Sequence, residues 1–323
     1  SQALISGAFS LAQQAMQLGY SPRWTVVHTS VETRGQIYVP EINTMLMIAC
    51  LGLVLAFQKS TNLAAAYGLA VAGTMAITSF LLFFVMTGIW GWPRRKAGLL
   101  TGVFLTVDLM FVVANTNKIG HGGWFPMIVG AVIYVIMTTW KAGQTAVGEK
   151  IRAGSVSLEM FMEDVARTKL PRVKGTAVFL TSNADLAPLV LLHHVKHNKV
   201  LHEKVVLLSI KTENVPKVTV RDRVHIRELG HGFYLVTAAY GFMQSPHVPL
   251  ILKLCETKGL EEITKDASYY LGRVTVLNDR KKTSLPAWRK RIFTILYRNA
   301  RPATSFFRIP PNRVIELGMQ IEL

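Results

Sequence analysis

From Ser60 to Pro93 the chain runs without one charged side chain. An uncharged run that long argues for a helix that crosses a membrane rather than for a helix buried in a soluble core. As one straight helix it would rise about 50 Å at roughly 1.5 Å per residue. The hydrocarbon core is about 30 Å thick, so the segment is expected to tilt, protrude or break, with Gly68 and Gly73 as bending points. Within STNLAAAYGLAVAGTM, Ser60 to Met75, the residues Ala64, Gly68 and Ala72 recur every fourth position and form a smooth seam for a neighbouring helix backbone. Tyr67 interrupts this apolar stretch. Its hydroxyl either bonds a neighbouring helix or lines a solute path, because polar groups at membrane depth usually face a cavity.

The rest of the first half follows the same pattern. Spans are expected at about 42–58, 61–92, 97–117 and 122–140, after a helix tail at Ala3–Leu18 and a polar loop broken by Pro22, Gly35 and Pro40. Only seven Lys and Arg and three acids precede Lys141. That leaves 29 basic and 16 acidic side chains from Lys141 onward, so the second half carries a net +13 of the total +17 and is expected to be water-exposed. Such a surface could meet nucleic acid, but with spans immediately upstream the expected partner is anionic lipid, and no nucleic acid. Arg23 and Arg34, then Arg94, Arg95 and Lys96, then Lys141, Lys150 and Arg152 mark three loops, whereas the two opposite loops hold only Lys59 and Lys118. Basic loops stay inside, so the opening loop and the second half are expected in the cytoplasm. Trp90, Trp92, Trp124 and Trp140 fall at span ends, as interfacial anchors do. The chain starts on Ser without a charged leader, which reads as no signal peptide and as the C-terminal part of a longer protein. Its two cysteines, Cys50 and Cys255, sit in settings too different for a bridge.

Beyond residue 146 the periodicity changes. SLEMFMEDVART, from Ser157, reads as an amphipathic connecting helix in a 146–174 linker. In 175–323, TAVFLT, LAPLVLLHHVKHN and VVLLSIKTE give a β-α-β order that predicts parallel pairing. RVHIREL and FYLVTAAY, joined through Gly230 and Gly232, predict a hairpin, and VPLILKLCETKG, YYLGRVTVL and PAWRKRIFTILYRNA predict a helix, a strand and a basic helix. The size suits one α/β domain.

Few residues carry obvious chemistry. Asp108 is the one carboxylate inside an expected span, where a charge costs roughly 2.5 to 3.5 kcal/mol. It therefore reads either as a functional acid or as hydrogen-bonded glue between helices, and Asn62 is a second polar intramembrane candidate. His193 and His197 share a helical face near His194 and His202, but no acid or thiol completes a metal set, and a solvated helix end is the expected reading. No phosphate loop, zinc-protease motif or nucleophile elbow occurs, which weighs against an enzyme. The basic helix Trp288 to Arg301 is expected on a surface or against lipid.

Four segments, SGAFSLAQQAMQLGYSPR, HTSVETRGQIYVPEIN, STNLAAAYGLAVAGTM and NTNKIGHGGWFPM, occur in order and resemble the bacterial Kup members of the KUP/HAK/KT potassium uptake permease family. In the second half TAAYGFMQSPHVP has Ala239 where the family commonly has Arg, and YYLGRVTVL keeps Arg273 but has Val274 where an acid is usual. The resemblance implies a multi-pass all-α membrane domain over 1–145, the second half of a LeuT-like inverted-repeat fold of the amino acid-polyamine-organocation superfamily. A cytoplasmic α/β domain follows. It also implies secondary active potassium uptake at the inner membrane, with proton symport, no cofactor, and the ion site completed by an N-terminal half. Tyr67 is similar to a tenth-helix tyrosine facing the potassium path, and this chain by itself is expected not to move the ion. A homodimer through the cytoplasmic domain is a further expectation. From another class, a membrane-anchored sensor with a nucleotide-binding domain is the alternative.

Overall fold

The computed structural model describes residues 2–28, 37–260, 262–277 and 285–322. Arg34 and most of the HTSVETRG segment lie outside the described residues, as does the side chain of Asn62. The chain separates into two compact units, Asn43–Ile136 and a second formed by Ser1–Ile42 with Met137–Leu323.

The first unit consists of helices. Among the described residues four helices are long and apolar enough to cross a membrane: α2 (Pro40–Phe57), α3 (Ser60–Gly88), α4 (Arg94–Thr116) and α5 (Trp124–Ala153). α3 is a single uninterrupted helix through Gly68 and Gly73, so neither glycine is a break. At about 1.5 Å per residue its 29 residues are longer than a hydrocarbon core is thick. The chain instead turns after Gly88, where Gly91 adopts a φ of 68°. Glycine accepts that left-handed angle without strain.

α3 and α4 pack antiparallel along the small-residue seam, with Gly68 beside Asn115 and Ser79 beside Asp108. A Cβ on Gly68 would stand 2.9 Å from Asn115 Oδ1, so α4 crosses where the helix has no side chain. The seam is shifted by one residue from the expected register: Ala65 and Ala72 are buried, whereas Ala64 is exposed. Helical geometry explains the shift, since Ala65, Gly68 and Ala72 follow a 3-4 spacing that tracks one face more closely than a strict repeat of four.

α5 continues past its expected end at Trp140 as far as Ala153. Its last half belongs to the second unit, which opens with α1 (Gln2–Gln17) and the two-residue strands β1 (Val27–His28) and β2 (Ile37–Tyr38), paired antiparallel. After α5 comes α6 (Leu158–Thr168), the expected connecting helix, whose N-cap Ser157 accepts a hydrogen bond from Met160 N at 3.3 Å. That bond satisfies one of the free donors of the first turn.

The α/β part follows as β3 (Arg172–Thr181), α7 (Leu189–Asn198), β4 (Leu201–Glu213), β5 (Val224–Gly230), β6 (Phe233–Gly241), α8 (Val248–Glu256), β7 (Ala267–Leu277), α9 (Ala287–Arg298), α10 (Ala303–Phe306) and β8 (Val314–Glu322). The sheet order is β5-β6-β4-β3-β7-β8, with every neighbouring pair parallel except β5 with β6. The first strand of the parallel set thus lies in the middle and later strands add on both sides. Both faces are covered, which is why the strands are continuously apolar rather than alternating. Val178, Val206 and Leu208 point into one core with Ile251 and Leu252 of α8; Ala177, Phe179, Val205 and Leu207 point into the other with Phe161 of α6 and Leu191 of α7. Each large side chain fully buried in these cores contributes about 1.5 to 3 kcal/mol. The hairpin of β5 and β6 turns through Gly230, His231 and Gly232, all at positive φ. A Cβ at Gly232 would meet Glu203 O at 2.3 Å, so both the turn and the close approach require glycine there.

The basic helix α9 leaves one face exposed, at Trp288 and Ile295, and packs the other. Its Phe293 is fully buried against Trp140 and Tyr297, with ring centroids 5.5 Å apart in both pairs, and it fills the space above Gly143. β8, α10 and the β1–β2 pair were not expected from the sequence. Cys50 is exposed, whereas Cys255 is buried and desolvation pushes its thiol up to about 12, so it is inert.

Candidate functional site

On α3, Tyr67, Val71, Thr74, Thr78 and Ser79 recur at spacings that place them along one helix face. Together with Asp108 of α4 they line an open groove of about 470 Å³. Tyr67 stands at one end and is 69% exposed. Asp108 stands at the other, about 18 Å away along the helix by the rise per residue between positions 67 and 79.

The polar groups of the groove differ in how they are satisfied. Thr74 donates its hydroxyl to Ala70 O at 2.9 Å and Thr78 to Thr74 O at 2.8 Å. A hydroxyl that donates back into its own helix keeps its lone pairs for an outside partner, so both oxygens can face a cation or water. Asp108 is buried and accepts a short hydrogen bond from Ser79 Oγ. Asn115, one heptad further along α4 on the same face, donates to Phe111 O at 2.8 Å and accepts from Lys118 Nζ at 2.9 Å. The α3–α4 contact is therefore laced with polar groups at Ser79–Asp108 and Gly68–Asn115.

The polar side chains of the groove offer only oxygen: a phenol, three aliphatic hydroxyls and a carboxylate. Such a set suits a hard, weakly hydrated cation, which takes hydroxyl and carbonyl oxygen rather than nitrogen or sulfur. Tyr67 and Asp108, read separately from the sequence, share this one groove. Thr74, Thr78 and Ser79 were missed, although their spacing of 7, 11 and 12 from Tyr67 marks them as its helical neighbours.

The histidines of the second unit do not form a metal centre among the described residues. His193 and His197 stack with centroids 6.0 Å apart on the exposed side of α7, whereas His194 faces inward. The expected solvated helix end is corrected for this residue, because the buried His194 ring packs on Phe179, Tyr270 and His202. Asn198 Nδ2 meets His194 Nδ1 at 2.9 Å, and Nε2 of His194 and Nδ1 of His202 are buried without a partner among the described residues. Desolvation lowers both histidines below the ordinary imidazole range, and repulsion from His202 lowers His194 further. Arg273 finds its acid on the next strand instead of at position 274, pairing with Glu316 of β8 at 3.8 Å.

A family model for the integral membrane domain of K+ potassium transporters matches residues 1–145, and one for their C-terminal domain matches residues 174–323. The chain belongs to the Kup family of potassium transporters. Among its relatives, the probable potassium transport system protein Kup of Anaeromyxobacter sp. (strain K) is 52% identical over 328 residues, covering 100% of this chain and 49% of that protein. Kup 1 of Syntrophobacter fumaroxidans is 49% identical over 322 residues, and Kup of Azoarcus sp. (strain BH72) is 48% identical over 323 residues. Each of these matches covers 100% of this chain, which spans about half the length of the curated Kup relatives.

Proposed function

We propose that this chain serves potassium uptake across a cell membrane by secondary active transport with proton symport, and that the Tyr67–Asp108 groove forms one wall of the ion path. The oxygen-bearing groove on the helix pair α3–α4 carries this reading, in a chain whose Kup relatives are named potassium transport proteins. A groove open along one side needs a further wall, and in this reading the remainder of a protein of the relatives' length supplies it, as the second member of an inverted repeat. Tyr67 lends its hydroxyl to the passing ion, while Thr74 and Thr78 replace part of its water. Asp108 holds α4 to α3 through Ser79. The protein sits in the inner membrane with its α/β domain in the cytoplasm, acts without a cofactor and catalyses no covalent chemistry.

The test is uptake of rubidium, a potassium stand-in, by cells depleted of other potassium systems and expressing the intact transporter. Tyr67→Phe is expected to raise the half-saturating concentration about tenfold, the cost of one hydrogen bond of about 1.4 kcal/mol. Protein level at the membrane should stay unchanged. Wild-type kinetics in this variant would remove Tyr67 from the path.

A further inference from the structure

A second cavity, of about 770 Å³, lies entirely within the unit that holds the α/β domain. Its wall brings together four arginines from three parts of the sequence: Arg23 after α1, Arg273 on β7, and Arg298 and Arg301 where α9 gives way to α10. One carboxylate, Glu316, lines it with them, paired to Arg273 at 3.8 Å. Arg23, Arg298 and Arg301 have no carboxylate partner among the described residues.

The arrangement is built rather than scattered. Arg301 N donates to Arg23 O at 2.9 Å, which ties the opening loop to the segment after α9. The Arg23 guanidinium lies over the rings of Phe306 and Phe307, 5.6 Å and 5.7 Å from their centroids. Those ring faces attract the cation and hold it against α10. Around this hollow four positive charges face one negative, a balance that favours an anion. Guanidinium forks match phosphate oxygens in geometry as well as in charge. The hydroxyls of Ser21 and Thr304 on the same wall add donors. Trp140 also lines the cavity, at the point where the apolar run of α5 ends and Lys141 begins.

From this geometry we infer that the Arg23, Arg273, Arg298 and Arg301 cavity is a binding site for a phosphate-bearing anion, either an anionic phospholipid headgroup or a soluble phosphate. This stands apart from the transport reading, because none of these residues lines the Tyr67–Asp108 groove.

The test uses the full chain in a neutral detergent, with its thermal unfolding midpoint followed during titration with phosphatidylglycerol, phosphatidylcholine of the same acyl chains, or pyrophosphate. Phosphatidylglycerol is expected to raise the midpoint and phosphatidylcholine to leave it unchanged; a rise with pyrophosphate as well identifies a soluble phosphate as sufficient. The double variant Arg298→Gln with Arg301→Gln should weaken the apparent affinity about tenfold or more, from the loss of charge-assisted bonds. Glu316→Gln, which frees Arg273, should tighten it about threefold. These opposite signs separate binding from misfolding. The inference is overturned if neither anion shifts the midpoint, or if both variants respond as the parent does.

Discussion

Gly143 shows how the absence of one atom lets a ring pack against a helix backbone. A Cβ there would lie 2.2 Å from the Phe293 ring. Gly143→Ala is therefore expected to cost about 1 to 3 kcal/mol as an overpacked contact. A lowered thermal midpoint, largely restored by Phe293→Leu in the same chain, would confirm it. His194 and His202 supply a second prediction at this scale. Burial holds their folded-state pKa values below those of the unfolded chain. The unfolded value is about 6.5, so the unfolded chain binds more protons as the pH falls below that point. Stability should be full above about pH 6.5 and decline below it as the pH approaches the lowered folded values. Denaturant midpoints from the acid side to neutral pH measure the slope, and His194→Phe should flatten it. The inward turn of His194 could not be read from HHVKHN, because which of its three histidines faces inward depends on the sheet beneath α7.

Between elements, the α3–α4 pair rests on small residues and a few polar contacts rather than on apolar burial, as expected where lipid is as apolar as the helices. Asp108→Asn keeps a hydrogen-bond acceptor for Ser79, and its stability in detergent should change little. Asp108→Leu leaves the Ser79 hydroxyl to bond its own helix and is expected to lower stability by about 1 to 2 kcal/mol. Equal behaviour of the two variants in a detergent unfolding assay would show that the Ser79 contact contributes nothing. Most elements were legible in advance because their patterns are strong: apolar runs for the spans, β-α-β order for parallel strands, paired glycines for the hairpin. β8 was overlooked although its sequence signals a strand: from Ile315 to Glu322 apolar residues alternate strictly with Glu, Gly or Gln; what the sequence does not carry is its partner, the parallel edge of β7 from Tyr269–Val314 to Leu277–Glu322. The continuation of α5 past Trp140 was missed for a different reason. KAGQTAVGEK holds two glycines that weaken a lone helix. The packing of Trp140, Ala146 and Val147 with Phe293 of α9 makes good the loss.

At the scale of the whole molecule, the charge asymmetry between halves is the most informative sequence property. If the basic loops and the α/β domain share the cytoplasm, single cysteines placed at Arg94 and at the exposed Lys196 should both resist a membrane-impermeant thiol reagent added to intact cells, in a Cys50→Ala background. Both should react once the cells are opened, and labelling of either from outside would reject the proposed topology. By itself the sequence determined that four helices could cross a bilayer, that a basic α/β domain follows, and to which family the chain belongs. Those properties depend on composition and local period, which neighbours along the chain carry. Only the tertiary structure decided that Asp108 of α4 joins the hydroxyls of α3 in one groove, that His194 turns inward, and that four arginines from three parts of the sequence meet around one hollow. Such meetings depend on how helices cross and which strand edge is free, and those are set by packing between residues that the linear order keeps apart.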